Sequence, residues 1–375
     1  MNPRKRFINA MKRKPVDRIP KHAWYTQEII DLVKEKTGSE DPDEYFKTDI
    51  RLLSLSPMTY NPGFDEYFKE ILGKKFEKMS FWEELGSRKH GKYTIDEWGV
   101  GHEHGDYYHY SKYVHLMEDL ETVDDLKKWP WPVLKDEGYY TDLENRVNKY
   151  KNRNIATFSY LGCLFEQAWY LRGMEKLFMD LYFNKKFAQY LLDKLVELNI
   201  ESAIKNASTG VDAIYTGDDI ATQNDLMMSS EMWRKWFKKG YKNIIDEAKR
   251  SRPDVMVMFH SDGNNYKIIP DLIEVGCDAL HPIQPECMDP LKIYKEFGKD
   301  VTIWGTIGTQ KLLPFGTPEE IKKEVKKIIL EFDAFSGGLV IAPTHYLEPD
   351  VPWENIAAFF DAVEEINDRY GSGKQ

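Results

Sequence analysis

From residue 176 onward the chain repeats one pattern: a long stretch of helical period, then a short apolar run that ends at a glycine or a charged residue. Residues 176–210 read as a helical region, and 211–216 as a strand ending at Gly217-Asp218-Asp219. Residues 230–251 are helical, with Ser229 or Ser230 as the N-cap. A strand over 255–259 follows, then a helix near 266–275 closed by Gly276. Next come a strand over 278–281, a helix near 289–297, and a strand over 301–304 that stops at Gly305. Thr317-Pro318-Glu319-Glu320 is a capping box with proline in the first turn, and it opens a helix to about Asp333. A strand over 338–342 and a helix over 353–369 complete the series. At least five such units, spaced roughly 25–40 residues apart, mean a parallel sheet covered by helices.

No GxGxxG follows the first of these strands, and no GxxxxGK[ST] occurs anywhere, so no nucleotide cofactor is expected. The pattern predicts an α/β fold, a (β/α)8 TIM barrel formed as one domain over residues 1–375. In such a barrel, function collects at the C-terminal ends of the strands. Asp218-Asp219, His260, Asp262, His281, Gln310 and His345 all fall there. The first half is less regular. Residues 55–130 mix Pro57, Pro62, Trp82 and Asp96-Glu97-Trp98 with the run His102-Glu103-His104. This mixture reads as an insertion that elaborates the N-terminal half over the barrel mouth. Trp129-Pro130-Trp131-Pro132 ends it like a linker, and the two histidines read as lid or surface.

His260 and Asp262 lie two residues apart at the end of a strand, so they point the same way. His345 follows another strand about eighty residues later. If both strands end on one rim, the three residues converge. Two imidazoles and one carboxylate can hold zinc, iron or manganese, or can do acid–base work without a metal. Of Asp218 and Asp219, adjacent residues diverge, so one faces the pocket and the other caps the next element. Asp218 is taken as the catalytic one and Asp219 as a substrate contact.

The net charge of −10 and pI near 5.5 argue against nucleic acid or an anionic membrane as partner. No apolar run has the length of a membrane span or of a signal-peptide core, so a cytoplasmic protein is expected. Three cysteines with no CxxC fit reduced thiols. An aromatic content of 14% suits a pocket for a sizeable small molecule.

Several segments form a set. Arg6-Phe7-Ile8-Asn9-Ala10-Met11 stands with Pro15-Val16-Asp17-Arg18-Ile19-Pro20 near the start. Residues 270–276, Trp304-Gly305-Thr306-Ile307 and Gly316-Thr317-Pro318-Glu319-Glu320 follow, and His345-Tyr346-Leu347-Glu348-Pro349-Asp350-Val351-Pro352-Trp353-Glu354-Asn355 comes near the end. Together they resemble the uroporphyrinogen decarboxylase superfamily, whose fold is a (β/α)8 barrel. One branch of that superfamily decarboxylates the acetate arms of uroporphyrinogen without a cofactor. The other moves methyl groups between corrinoid proteins and thiols, using zinc.

The decarboxylase branch carries an arginine-rich R-Q-A-G-R-Y-L-P segment. Here that stretch reads His22-Ala23-Trp24-Tyr25-Thr26-Gln27, which leaves His22 as its polar contact. The zinc branch carries H-x-C and a later cysteine. His260, Asp262 and His345 stand in those three places. The resemblance also implies a pocket tyrosine at Tyr170 and a pyrrole-binding carboxylate at Asp49. It implies a metal-dependent methyltransferase working with a separate corrinoid protein, because the corrinoid-binding D-x-H-x-x-G is absent from the chain. The alternatives are a cofactor-free decarboxylase of a porphyrinogen or another carboxylated substrate, and a non-catalytic binding barrel. The decarboxylase branch is often dimeric, so a homodimer is the assembly it suggests.

Overall fold

Alternation along the strands puts one set of side chains inside a ring and the other under the helices. The computed structural model describes residues 1–53, 58–74, 80–81, 93–104, 111–135 and 137–371. Its ring strands are β1 (Trp24–Tyr25), β2 (Ile50–Leu52), β3 (Ala156–Gly162), β4 (Ala213–Gly217), β5 (Met256–His260), β6 (Ala279–His281), β7 (Thr302–Trp304) and β8 (Leu339–Val340), with β9 (Tyr346–Leu347) beyond them. β2 to β8 lie side by side in chain order, all parallel.

The segment before β1 joins the two edges of this sheet. Ile341 N–H donates to Pro20 C=O at 3.0 Å, and His22 N–H donates to Ile341 C=O at 3.1 Å. On the other side Asp49 N–H donates to Lys21 C=O at 3.1 Å. β1 then runs parallel to β9. An open sheet would leave two rows of unpaired backbone groups, and this eighth stave pairs both. The barrel expected from the alternation is therefore formed.

Met256, Met258, Ala156, Phe158, Ala213 and Trp304 belong to the cluster inside the ring. Their odd–even partners Val257, Phe259, Ile214 and Ile303 join the larger cluster beneath the helices. Helix α1 (Pro3–Met11) closes the N-terminal end. Its Phe7 and Met11 enter the inner cluster, and Met11 C=O accepts from Thr302 Oγ1 at 3.0 Å.

The helical expectations hold with local changes. The region 176–210 is two helices, Met174–Phe183 and Lys185–Ser208, broken at Asn184. Ser229 caps Ser230–Trp233 by accepting from Met232 N–H at 3.2 Å, and a π-helical turn over Arg234–Lys238 follows. The capping box at Thr317 and Glu320 is formed.

Between β2 and β3 lies a second sheet of Ser80–Phe81, Tyr93–Ile95, Gly101–His104 and Ser111–Val114. Trp129, read from sequence as part of a linker, is instead packed against Phe68, with its indole N–H on Trp98 C=O at 3.0 Å. Of the residues singled out there, Pro57 and Trp82 lie outside the described residues. His102 Nε2 lies 3.1 Å from Asp96 Oδ2, and His104 Nε2 lies 2.8 Å from Thr94 Oγ1, both within this sheet. Among the described residues no helix is long and apolar enough to cross a membrane.

Candidate functional site

β5 alternates inward as Met256, Met258, His260, so the last of these reaches the mouth of the ring rather than its packed centre. His260 is in register with His281 on β6. The two Nδ1 atoms lie 2.8 Å apart and the rings stack at 5.1 Å. Burial, then the neighbouring His260 and His22, hold the His281 pKa well below its ordinary value, so His281 is neutral. Space for its ring exists because residue 305 is glycine at φ +80°. A Cβ there would come within 3.0 Å of the imidazole.

Gly217 ends β4 beside His260, and a Cβ on it would stand 1.9 Å from the His260 carbonyl oxygen. That close approach requires glycine. The chain then splits its two aspartates. Asp219 faces the mouth with its side chain 41% exposed. Its Oδ1 accepts from Asp262 N–H at 2.8 Å and lies 3.7 Å from His260 Nε2. Asp219 N–H donates to Glu166 Oε2 at 3.1 Å, and Tyr170 O–H donates to Glu166 Oε1 at 2.6 Å. One connected network thus runs from Tyr170 through Glu166 and Asp219 to Asp262, with His260 and His281 beside it.

Ligand atoms of Asp219, His260 and Asp262 all lie within 4.8 Å of one another. His345 is at the same mouth, with its ring 6.5 Å from that of His260. His260, Asp262 and His345 are therefore brought together, but the tightest trio contains Asp219 in place of His345. Burial raises the Asp262 pKa; the charges of His260 and His345 oppose this, and that of Asp219 adds to it. The Glu166 pKa is pushed up to about 7, by burial first and then by Asp219 and Asp218.

Three expected site residues lie elsewhere. Asp218 is fully buried, with ligand atoms of Cys163 and Glu166 within 4.8 Å of its carboxylate. Its carboxylate accepts from the N–H groups of Leu164 (3.1 Å), Phe165 (2.8 Å) and Glu166 (2.8 Å), and from the Tyr241 hydroxyl. It anchors the turn that follows β3 through these four donors. Asp49 precedes β2 and so lies at the opposite end of the barrel. There it accepts from Arg6 Nη1 at 2.6 Å and Lys21 N–H at 3.0 Å. His22 is buried inside the ring among Trp24, Phe158 and Trp304. Burial, then Arg51, lowers its pKa to about 3. Tyr170 does reach the network, stacked on Tyr113 at 4.3 Å. From sequence Glu166, near Tyr170, stands open between pocket and surface and is not among the expected site residues. Its signal was its place four residues past the end of β3 at Gly162.

One titration follows. A carboxyl whose folded pKa lies above its ordinary 4.5 favours folding most at low pH and loses that contribution as pH rises through about 7. Wild-type stability relative to Glu166→Gln is expected to fall across that interval by about 1–3 kcal/mol. Chemical denaturation at a series of pH values measures it. A pH-independent difference would mean that Glu166 keeps an ordinary pKa.

Two carboxylates and an imidazole within mutual reach can share a divalent cation or pass a proton. The family model for uroporphyrinogen decarboxylase (URO-D) matches residues 106–366. A uroporphyrinogen decarboxylase of Legionella pneumophila (strain Corby) is 25% identical over 262 residues, covering 68% of this chain and 70% of that protein. One of Chlorobium limicola is 28% identical over 193 residues, covering 51% of this chain and 52% of its relative's length. A solved methyltransferase from Methanosarcina mazei superposes with a TM-score of 0.62 at 17% identity, over 98% of this chain and 99% of that one. The likeness establishes the shared fold.

Proposed function

This chain belongs to the uroporphyrinogen decarboxylase family, and from that membership we propose a metal-dependent methyltransferase that works with a separate corrinoid protein. The observation that carries the reading is the trio Asp219, His260 and Asp262 at the barrel mouth. Two carboxylate oxygens and one imidazole nitrogen suit zinc, iron or manganese. The donor set fits because each residue keeps a donor atom unspent by the network. His260 uses Nδ1 on His281 and turns Nε2 toward Asp219. Asp219 uses Oδ1 on the Asp262 amide and keeps Oδ2. Bound there, the ion would supply Lewis acidity toward an acceptor thiol or a methoxy oxygen.

The chain's own residues prepare that site. His281 is neutral, and when its Nδ1 accepts a hydrogen bond, His260 Nδ1 holds the proton and His260 Nε2 presents a lone pair to the mouth. Glu166 fixes the Asp219 backbone and so aims that carboxylate. His345 stands outside the tight trio, and we assign it proton transfer at the mouth.

His281→Phe keeps the bulk of the ring but removes its acceptor. Metal affinity is expected to fall about 10–100-fold, read by competition with a chelator. Unchanged affinity would remove His281 from the account.

The decarboxylase reading draws on the names of the curated relatives. Against it, the expected pyrrole carboxylate Asp49 is spent on Arg6 at the far end of the barrel. Elemental analysis of protein purified without added metal tests the proposal. About one equivalent of zinc, iron or manganese supports it. No metal, and none taken up on incubation with the three ions, would overturn it.

A further inference from the structure

We propose that the mouth selects a substrate carrying a positive charge, specifically an N-methylated ammonium group. The proposal rests on the reading above only in taking the barrel mouth as the substrate site. Aromatic rings gather around His260. Trp24 lies 5.6 Å from Tyr215, 5.4 Å from Tyr346 and 5.8 Å from the His260 ring. Tyr215 lies 4.8 Å from Tyr160 and 5.6 Å from His260. These rings come from β1, β3, β4 and β9, so aromatic faces and edges reach the mouth from four strands. Tyr346 is 37% exposed.

The charges beside these rings have one dominant sign. Glu166, Asp219 and Asp262 stand together, and among the described residues none of the three is paired with a lysine or arginine. The charges acting on Asp262 are those of His260, Asp219 and His345. A divalent ion on the trio would balance Asp219 and Asp262 and leave Glu166 outside it. The metal-free mouth therefore attracts a cation, and once an ion balances the trio the aromatic rings remain to do so; in either form no lysine or arginine pairs with these three carboxyls to receive a substrate bearing several carboxylates. Aromatic rings add attraction for a diffuse cation, which methylated ammonium is and a hydrated primary amine is not. One donor is also unspent. The buried indole N–H of Trp24 has no acceptor, and a ligand oxygen beside the ammonium would supply one.

Calorimetric titration tests this on chelator-treated and on zinc-loaded protein. The probes are choline, its neutral isostere with a quaternary carbon in place of nitrogen, and tricarballylate. Choline is expected to bind about tenfold or more tightly than the isostere in both forms, and tricarballylate not to bind. Tyr346→Leu should shrink the gap between choline and the isostere while leaving isostere affinity in place. Equal affinity for the two, tighter binding of tricarballylate, or no choline binding at millimolar concentration would overturn the proposal. Choline binding by protein that takes up no metal would leave it standing while the metal reading fell. A metal-loaded protein indifferent to charge would do the reverse.

Discussion

His260→Ala should lower the proposed methyl transfer about a thousandfold or more, because the metal it would help hold would supply several kcal/mol of transition-state stabilisation. The variant should also come out of purification without metal. Both effects have one origin. His260 is the sole nitrogen donor of the trio, and His281 holds it in place through a 2.8 Å contact. The inner residues Met256, Met258 and Phe158 stay in place, while the buried His281 Nδ1 loses its partner at a cost of about 1–3 kcal/mol. Steady-state rates with a methylated corrinoid donor, beside a thermal melt, separate loss of chemistry from loss of structure. A variant within tenfold of wild type would place the reaction elsewhere.

Asp218→Ala should do the opposite, damaging the fold first. The wild-type carboxylate satisfies three consecutive backbone N–H groups and the Tyr241 hydroxyl in a place with no solvent exposure. Alanine removes the acceptor of the Phe165 and Glu166 amides and of the Tyr241 hydroxyl, while Leu164 N–H keeps only the Tyr241 oxygen at 3.3 Å, at a total cost of about 3–5 kcal/mol. Asp219→Ala removes a half-exposed carboxylate with one amide bond and should cost only about 1 kcal/mol. Its activity should nonetheless fall with that of His260→Ala. Denaturation midpoints for the two aspartate variants measure the contrast. Equal destabilisation would contradict the division of roles between the neighbours.

That division shows where sequence reading stops. The alternation of β5 was enough to send His260 and Asp262 to one mouth, because a two-residue period is local. The order of strands then brought His345 to the same rim. For Asp218 and Asp219 only the divergence was legible. Which one faces inward depends on three amides at 164–166 that arrive from another strand. Asp49 was misplaced because β2 has only three residues and begins just after it, so the residue sits before the strand rather than at its end. The place of His22 inside the ring was hidden for a similar reason. The eighth stave is made by residues 20–25 through a few ladder bonds, and Pro20 gives no strand signal. Position along the chain puts Glu166 and His281 at or just past strand ends, but their partners lie on other strands, and those contacts no spacing reveals.

The central claim is methyl transfer at the Asp219–His260–Asp262 site, and one assay addresses it directly. Zinc-loaded protein is mixed with methylcobalamin and a thiol, and the corrinoid spectrum is followed beside thioether formation. In that reaction the thiolate takes the methyl group and the cobalt keeps the electron pair of the broken carbon–cobalt bond. The account predicts loss of methylcobalamin matched by thioether, abolished by chelator and by His260→Ala. An unchanged spectrum, together with release of carbon dioxide from uroporphyrinogen by metal-free protein, would contradict it.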